Sequence, residues 1–177
     1  MNKVTCCLVT LLVVGTMGSG RAQAPQPGPE AKRLAIWAGN WQYEGSAQAS
    51  PLGPASKISG KQTGRVLGGG FAIQSTGEES GPFGGIQWGE LGVYDPASKT
   101  YRYLGYQSDG SVWQGTASVA GNVWSYSGRF TVKGTSYWIR TEATFATDGR
   151  SFDWRAEVST DGKTWAPWAQ TKTTKIS

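Results

Sequence analysis

The chain has 177 residues, enough for one domain with its own core, and carries 17 Lys and Arg against 12 Asp and Glu, scattered among one another without a clustered basic patch, so nucleic acid is not an expected partner. It has no His, and its two cysteines, Cys6 and Cys7, both lie near the N-terminus. That composition removes most metal sites, including zinc and His-ligated haem, and it removes His-based triads and Cys nucleophiles, so no cofactor is expected.

The N-terminal segment reads as a secretory signal. Lys3 gives a positive start, Val4 to Val14 is apolar apart from two Thr and two Cys, and Ala22-Gln23-Ala24 has the small-x-small form of a cleavage site. Pro25 disfavours cleavage directly before it, so cleavage after Ala22 stands beside cleavage after Ala24. The apolar run is too short for a permanent bilayer span, so no stable membrane anchor is expected. The predicted organisation is a signal peptide over 1–24, a Pro-rich linker over 25–29 and a single β-barrel domain over 30–177, in a periplasmic or secreted protein without disulfides.

Glu30 to Ala38 has the make-up of a short helix, with Leu34, Ile36 and Trp37 apolar. Beyond Gly39 the chain reads as strands. The 26 Gly punctuate it, and Trp, Tyr and Thr recur with a period of two. Turn signals at Gly68-Gly69, Asp109-Gly110, Ala120-Gly121, Lys133-Gly134, Asp148-Gly149 and Asp161-Gly162, with a longer one at Asp95 to Lys99, divide the region. They leave ten strands, at about 40–49, 56–67, 70–79, 85–95, 100–108, 111–119, 122–132, 135–146, 151–160 and 163–175. The fold class expected is all-β, an antiparallel up-and-down barrel of about ten strands. Ser159 to Trp165 resembles the Asp-box of sialidase-type propellers, but the irregular spacing of the Asp-Gly turns favours plain hairpins.

Counting outward from two-residue turns yields cross-strand pairs. Phe145 faces Phe152, Ala143 faces Trp154 and Ile139 faces Val158, while Glu142 meets Arg155 and Arg140 meets Glu157 on the other face. One register thus gives a dry side and an ion-paired side. The same counting pairs Phe130 with Tyr137, Arg129 with Trp138, Ala117 with Trp124, Gly115 with Tyr126, Tyr106 with Trp113, Val66 with Phe71 and Gly64 with Ile73. Leu91 and Val93 continue the inner face if the Asp95 turn has even length, and then Trp88, Tyr94, Tyr101 and Tyr103 point outward.

Gly39-Asn40-Trp41, at the head of the first strand, resembles the Gly-x-Trp motif of lipocalins and other calycins, whose Trp closes the barrel base under a basic residue from the last strand, here Lys172 or Lys175. Gly64 to Phe71, Gly81 to Gly85 and Leu91 to Asp95 resemble the bacterial family catalogued as domain of unknown function 1579. The resemblance covers mainly residues 35 to 110 and implies a calycin-like, commonly exported barrel. It transfers no catalytic residue.

The predicted inner face of strands six to ten carries no charge. Tyr106, Trp113, Gly115, Trp124, Tyr126, Gly128, Phe130 and Trp154 are the candidate ligand-binding residues, with Gly115 and Gly128 leaving space beside the rings. This lining suits a small hydrophobic or aromatic molecule held by stacking, with no chemistry performed on it. A filled interior is the competing expectation. One functional alternative is a surface module that binds glycan or protein through Trp88, Trp138 and Trp168. Another is an enzyme built on Glu78, Glu79 and Glu90, the acids near the inner face. The oligomeric state is not legible. Protein recovered from the periplasm or medium should begin near Gln23 or Pro25 on N-terminal sequencing, and an intact Met1 on purely cytosolic protein would contradict export.

Overall fold

The computed structural model describes residues 26–177, so the signal-peptide expectation lies outside the described residues. Ten antiparallel strands form a closed up-and-down barrel: β1 (Gly39–Ala47), β2 (Ser56–Leu67), β3 (Ala72–Gly81), β4 (Gly84–Asp95), β5 (Thr100–Gln107), β6 (Val112–Ala120), β7 (Val123–Val132), β8 (Thr135–Phe145), β9 (Ser151–Ser159) and β10 (Ala166–Lys175). Each strand pairs with its sequence neighbours, and β1 closes the ring against β10. Closure leaves no sheet edge for another chain to extend.

A short helix α1 (Pro29–Lys32) runs into a 3-10 turn (Arg33–Trp37) before β1. Proline at the first helical position fits the helix start, where its missing N–H is not needed. The stretch before it is not a free linker over its described part, because Pro27 is buried and packs against Gly70. This N-terminal segment plugs one end of the barrel. Trp37 meets Phe145, Phe152 and Trp124 edge to face, with centroids 4.9, 5.2 and 5.6 Å away. Trp41 is fully buried, donates its indole N–H to the Trp37 carbonyl at 3.1 Å, and lies under Lys175 with the ammonium 5.0 Å from the ring centre. The Gly-x-Trp expectation is met with Lys175 as the basic partner. The opposite end is closed by Leu52 of the β1–β2 loop and by Phe83 of the β3–β4 turn, whose ring meets Phe130 and Trp168.

The expected register holds around β8 and β9. Phe145 pairs with Phe152, Ala143 with Trp154 and Ile139 with Val158, all facing inward. On the outside Arg155 bonds Glu142 at 2.7 Å and Arg140 bonds Glu157. Arg129 lies 4.2 Å from the Trp138 ring centre, as its pairing predicts.

Elsewhere the turns are not where two-residue counting puts them. The β6–β7 turn is Gly121-Asn122, so Ala117 pairs with Tyr126 and Gly115 with Gly128, a two-residue shift that keeps the same face. The β2–β3 turn spans 68–71, so Val66 pairs with Ile73 and Gly64 with Ser75. The β5–β6 connection matters more. Gln107 bonds Ser111 across a three-residue Ser108-Asp109-Gly110 loop, with Gly110 at φ 85°. An odd loop shifts the pairing by one residue and flips every side chain of the strand behind it. Trp113 therefore pairs with Gly105, not Tyr106. The Asp95 turn does have even length, so the inversion carries into β4. Tyr106 and Leu91 face solvent, 58% and 43% exposed, whereas Tyr101 is buried and Trp88 and Tyr103 point into the barrel. A β-bulge between Pro167 and Ala169 likewise turns Trp168 inward, where it is buried. Of the three tryptophans expected outside, Trp138 alone is there.

Candidate functional site

The inner face is built from glycines and aromatics in register. Every strand from β1 to β7 places a glycine inward: Gly45, Gly60, Gly77, Gly92, Gly105, Gly115 and Gly128. Across from four of these stand Tyr43, Trp88, Tyr103 and Trp113, paired with Gly60, Gly77, Gly92 and Gly105. A Cβ added at Gly105 would lie 2.1 Å from the Trp113 ring, and one at Gly92 would lie 2.5 Å from the Tyr103 ring. The rings lie flat on the wall where glycine leaves room, and do not project to the barrel axis. Gly115 and Gly128 follow the same rule. Their expected free space is taken by Tyr126, whose ring carbon or hydroxyl would stand 2.9 and 2.4 Å from the added carbons. A larger side chain at either position would meet backbone as well, so these glycines serve close strand packing and open no pocket.

With the rings laid against the wall, the barrel keeps an internal cavity of about 250 Å³. It lies between the aromatic plug at the Trp37 end and Phe83 at the other. Its two walls differ. β6 to β10 supply Trp113, Trp124, Tyr126, Phe130 and Trp154, the expected aromatic lining, joined by Trp168. β2 to β5 supply Gln62, Ser75, Glu79, Glu90 and Gln107, with both carboxylates, alongside Ile58, Trp88 and Tyr103. No Lys or Arg lines the cavity among the described residues. The three ion pairs among these residues are Arg102–Asp95, Arg140–Glu157 and Arg155–Glu142, and none involves a cavity acid.

Glu90 is the chemical centre. It stands on β4 opposite Gly105, and its carboxylate accepts the indole N–H of Trp113 at 2.6 Å. The surface it retains lines the cavity. Burial pushes its carboxyl up to about 7, against the opposing effect of the Trp113 hydrogen bond. Glu79, nearer Phe83, accepts the Tyr43 hydroxyl at 3.1 Å, and that hydroxyl accepts the Trp88 indole N–H at 3.2 Å. Burial raises Glu79 as well, with the Tyr43 bond opposing. Tyr103 and Tyr126 are raised above the ordinary phenol range, first by burial and then by the charge of Glu90. Five buried polar atoms of cavity-lining residues have no hydrogen-bond partner within the protein: the Tyr103 and Tyr126 hydroxyls, Gln107 Oε1, and the indole nitrogens of Trp37 and Trp168. Buried polar groups without partners are rare, and these five belong to residues that line one cavity.

Among the sequence candidates, Trp113, Trp124, Tyr126, Phe130 and Trp154 come together at the cavity. Tyr106 does not; it lies outside, over Gly89. Sequence reasoning missed Tyr103, Trp88, Gln107 and Trp168 as cavity residues. The inward position of Glu90 follows once the Ser108-Asp109-Gly110 connection is counted as a three-residue loop. The described residues hold no cluster of three His, Cys, Asp or Glu suited to a metal ion.

The sequence profile described as "Protein of unknown function (DUF1579)" matches residues 26–165, most of the chain. The chain belongs to this family. No curated protein matches the sequence. Among solved structures the DUF1579 barrel is similar to Rv2717c from M. tuberculosis, with TM-score 0.58 and 11% identity over 85% of this chain and 99% of that one. That likeness shows the fold. A de novo designed fluorescence-activating β-barrel matches at TM-score 0.44 and 13% identity, covering 81% of this chain and 97% of the design.

The raised Glu90 carboxyl makes a stability prediction. The folded protein holds this proton until about pH 7, whereas the unfolded chain releases it near 4.5. The stability from this group is full below the lower value and is lost as pH rises through the higher one, a change of roughly 3 kcal/mol. Glu90→Gln should therefore gain on the unaltered protein by roughly that amount between about pH 4.5 and 8 in urea unfolding. A constant difference across the range would contradict an enclosed, unpaired carboxyl.

Proposed function

We propose that this DUF1579 barrel binds a small apolar or aromatic molecule in its interior and performs no chemistry on it. The observation that carries the reading is the cavity of about 250 Å³ behind Trp113, Tyr126 and Trp154. A void of about 150 Å³ lined by apolar side chains admits benzene, so this one has room for one or two fused rings. The rings already pressed against the wall offer stacking faces at low entropic cost. The two cavity carboxylates do not favour the enzyme reading, because each is tied to a tyrosine or tryptophan and neither is paired with a nucleophile or base. The Lys3 to Ala24 segment supports binding outside the cytoplasm, as an exported carrier or sensor.

Calorimetric titration with neutral 1-naphthylmethanol tests this. The expected Kd is on the order of 10–100 μM for a ligand of this size. Trp113→Ala should weaken binding about tenfold through lost stacking, and Glu142→Ala, on the outer surface, should leave it unchanged. Absence of binding up to millimolar concentration, or equal sensitivity to the two substitutions, would overturn the reading.

A further inference from the structure

Resting on the cavity-binding reading above, we infer that the occupant is an aromatic amine, whose protonated nitrogen is held by Glu90 while its ring lies against Trp113 and its neighbours. Glu90 is a carboxylate inside a barrel with no Lys or Arg on the cavity wall, and its one hydrogen bond from the protein is the Trp113 indole N–H at 2.6 Å. An unpaired buried charge is costly, and a cation brought by the ligand would offset that cost. Of the polar atoms left over, the Trp37 and Trp168 indoles can only donate and would stay unmet by an ammonium, but three others can accept. Gln107 Oε1 can only accept, and the hydroxyl oxygens of Tyr103 and Tyr126 have lone pairs without partners. An ammonium brings three N–H donors and no acceptor, so it can bond the Glu90 carboxylate and still offer hydrogens to other acceptors of the wall. A ligand carboxylate or phosphate would instead face Glu90 and Glu79 with no cation to receive it.

The surrounding rings favour the same charge. Trp88 and Trp113 lie with centroids 6.5 Å apart, and Tyr103 and Tyr126 with centroids 6.2 Å apart, on either hand of the Glu90 position. Indole and phenol faces attract cations, more strongly where water is excluded. The aromatic half of the barrel then holds the ligand body and the acidic half holds its nitrogen. Glu90 becomes the residue that distinguishes an amine from its neutral isostere.

The test pairs 1-naphthylmethylamine with 1-naphthylmethanol, which have the same rings and differ at one atom. At about pH 8 the amine should bind the purified protein at least about tenfold tighter than the alcohol. Glu90→Gln keeps an acceptor for Trp113 and should erase that preference while leaving the alcohol's affinity within about threefold. A second arm needs no variant. The groups facing Glu90 are Trp113 from β6, Tyr103 from β5 and Tyr126 from β7, with Glu79 of β3 and Tyr43 of β1 further along the cavity. Both facing phenols stay neutral across the range, so the amine preference should fall as pH drops below about 6 and Glu90 takes up its proton, with the alcohol unaffected. Equal binding of the two probes, or a preference that survives in Glu90→Gln and at low pH, would overturn the amine assignment and leave the cavity reading standing. Failure of both probes to bind would overturn both.

Discussion

The structure depends on aromatic rings that lie across inward-facing glycines. A barrel lined by as many large side chains as this one would ordinarily fill, because rings that stand upright on the wall meet at the axis. Here Trp113 lies on Gly105, Tyr103 on Gly92, Trp88 on Gly77 and Tyr43 on Gly60, each ring in the place of its partner's missing side chain. The glycines lose conformational entropy on folding and give no packing of their own. The rings restore the contact area, fix the cross-strand register and stay out of the centre. Hollowness is therefore a product of the same residues that stabilise the sheet.

From that arrangement the chemistry follows. Aromatics pack at both ends, Trp37 and Trp41 at one and the half-buried Phe83 at the other, so the centre is largely screened from bulk water. Desolvation then acts on the titratable groups that face inward, the tyrosines and Glu90 alike, with no cation on the cavity wall to offset it. The protein accepts the cost of a buried carboxyl and of several hydroxyl, amide and indole groups without partners. Natural sequences depart from full polar satisfaction at sites where something else completes the set. Both cavity carboxylates stand on the β2 to β5 side, so a ligand of the kind proposed would have an orientation as well as a place.

Much of this was legible in the residues, and the failures share one physical cause. The strand number, the helix before the barrel and the register of β8 against β9 could be read, because turn chemistry and alternation agree there. Glu142 with Arg155 and Phe145 with Phe152 leave no other sensible pairing. Of the acids read from the sequence as near the inner face, Glu79 and Glu90 do line it and Glu78 is exposed, but the Ser108-Asp109-Gly110 loop obscured which residues surround Glu90. Asp-Gly suits a two-residue turn and a three-residue loop equally well, and the two differ by one residue of register. That single step moves Tyr106 outside, brings Tyr103 and Trp88 inside and sets Glu90 at the centre. The bulge at Trp168 is a second case, and its one signal is Pro167, which has no N–H for the ladder and in a barrel without edges marks an irregularity. The glycine pattern carried the missing information: Gly105 and Gly92 need ring partners, and only the inverted register provides Trp113 and Tyr103.

The measurement that tests this account most directly is a crystal structure of the protein soaked with 1-naphthylmethylamine at about pH 8. The account predicts density for the rings inside the barrel, against Trp113, with the nitrogen within about 3 Å of the Glu90 carboxylate and the glycine-seated rings unmoved. An interior filled by collapsed side chains, or a probe bound only on the outer surface near Leu104 and Tyr106, would contradict it.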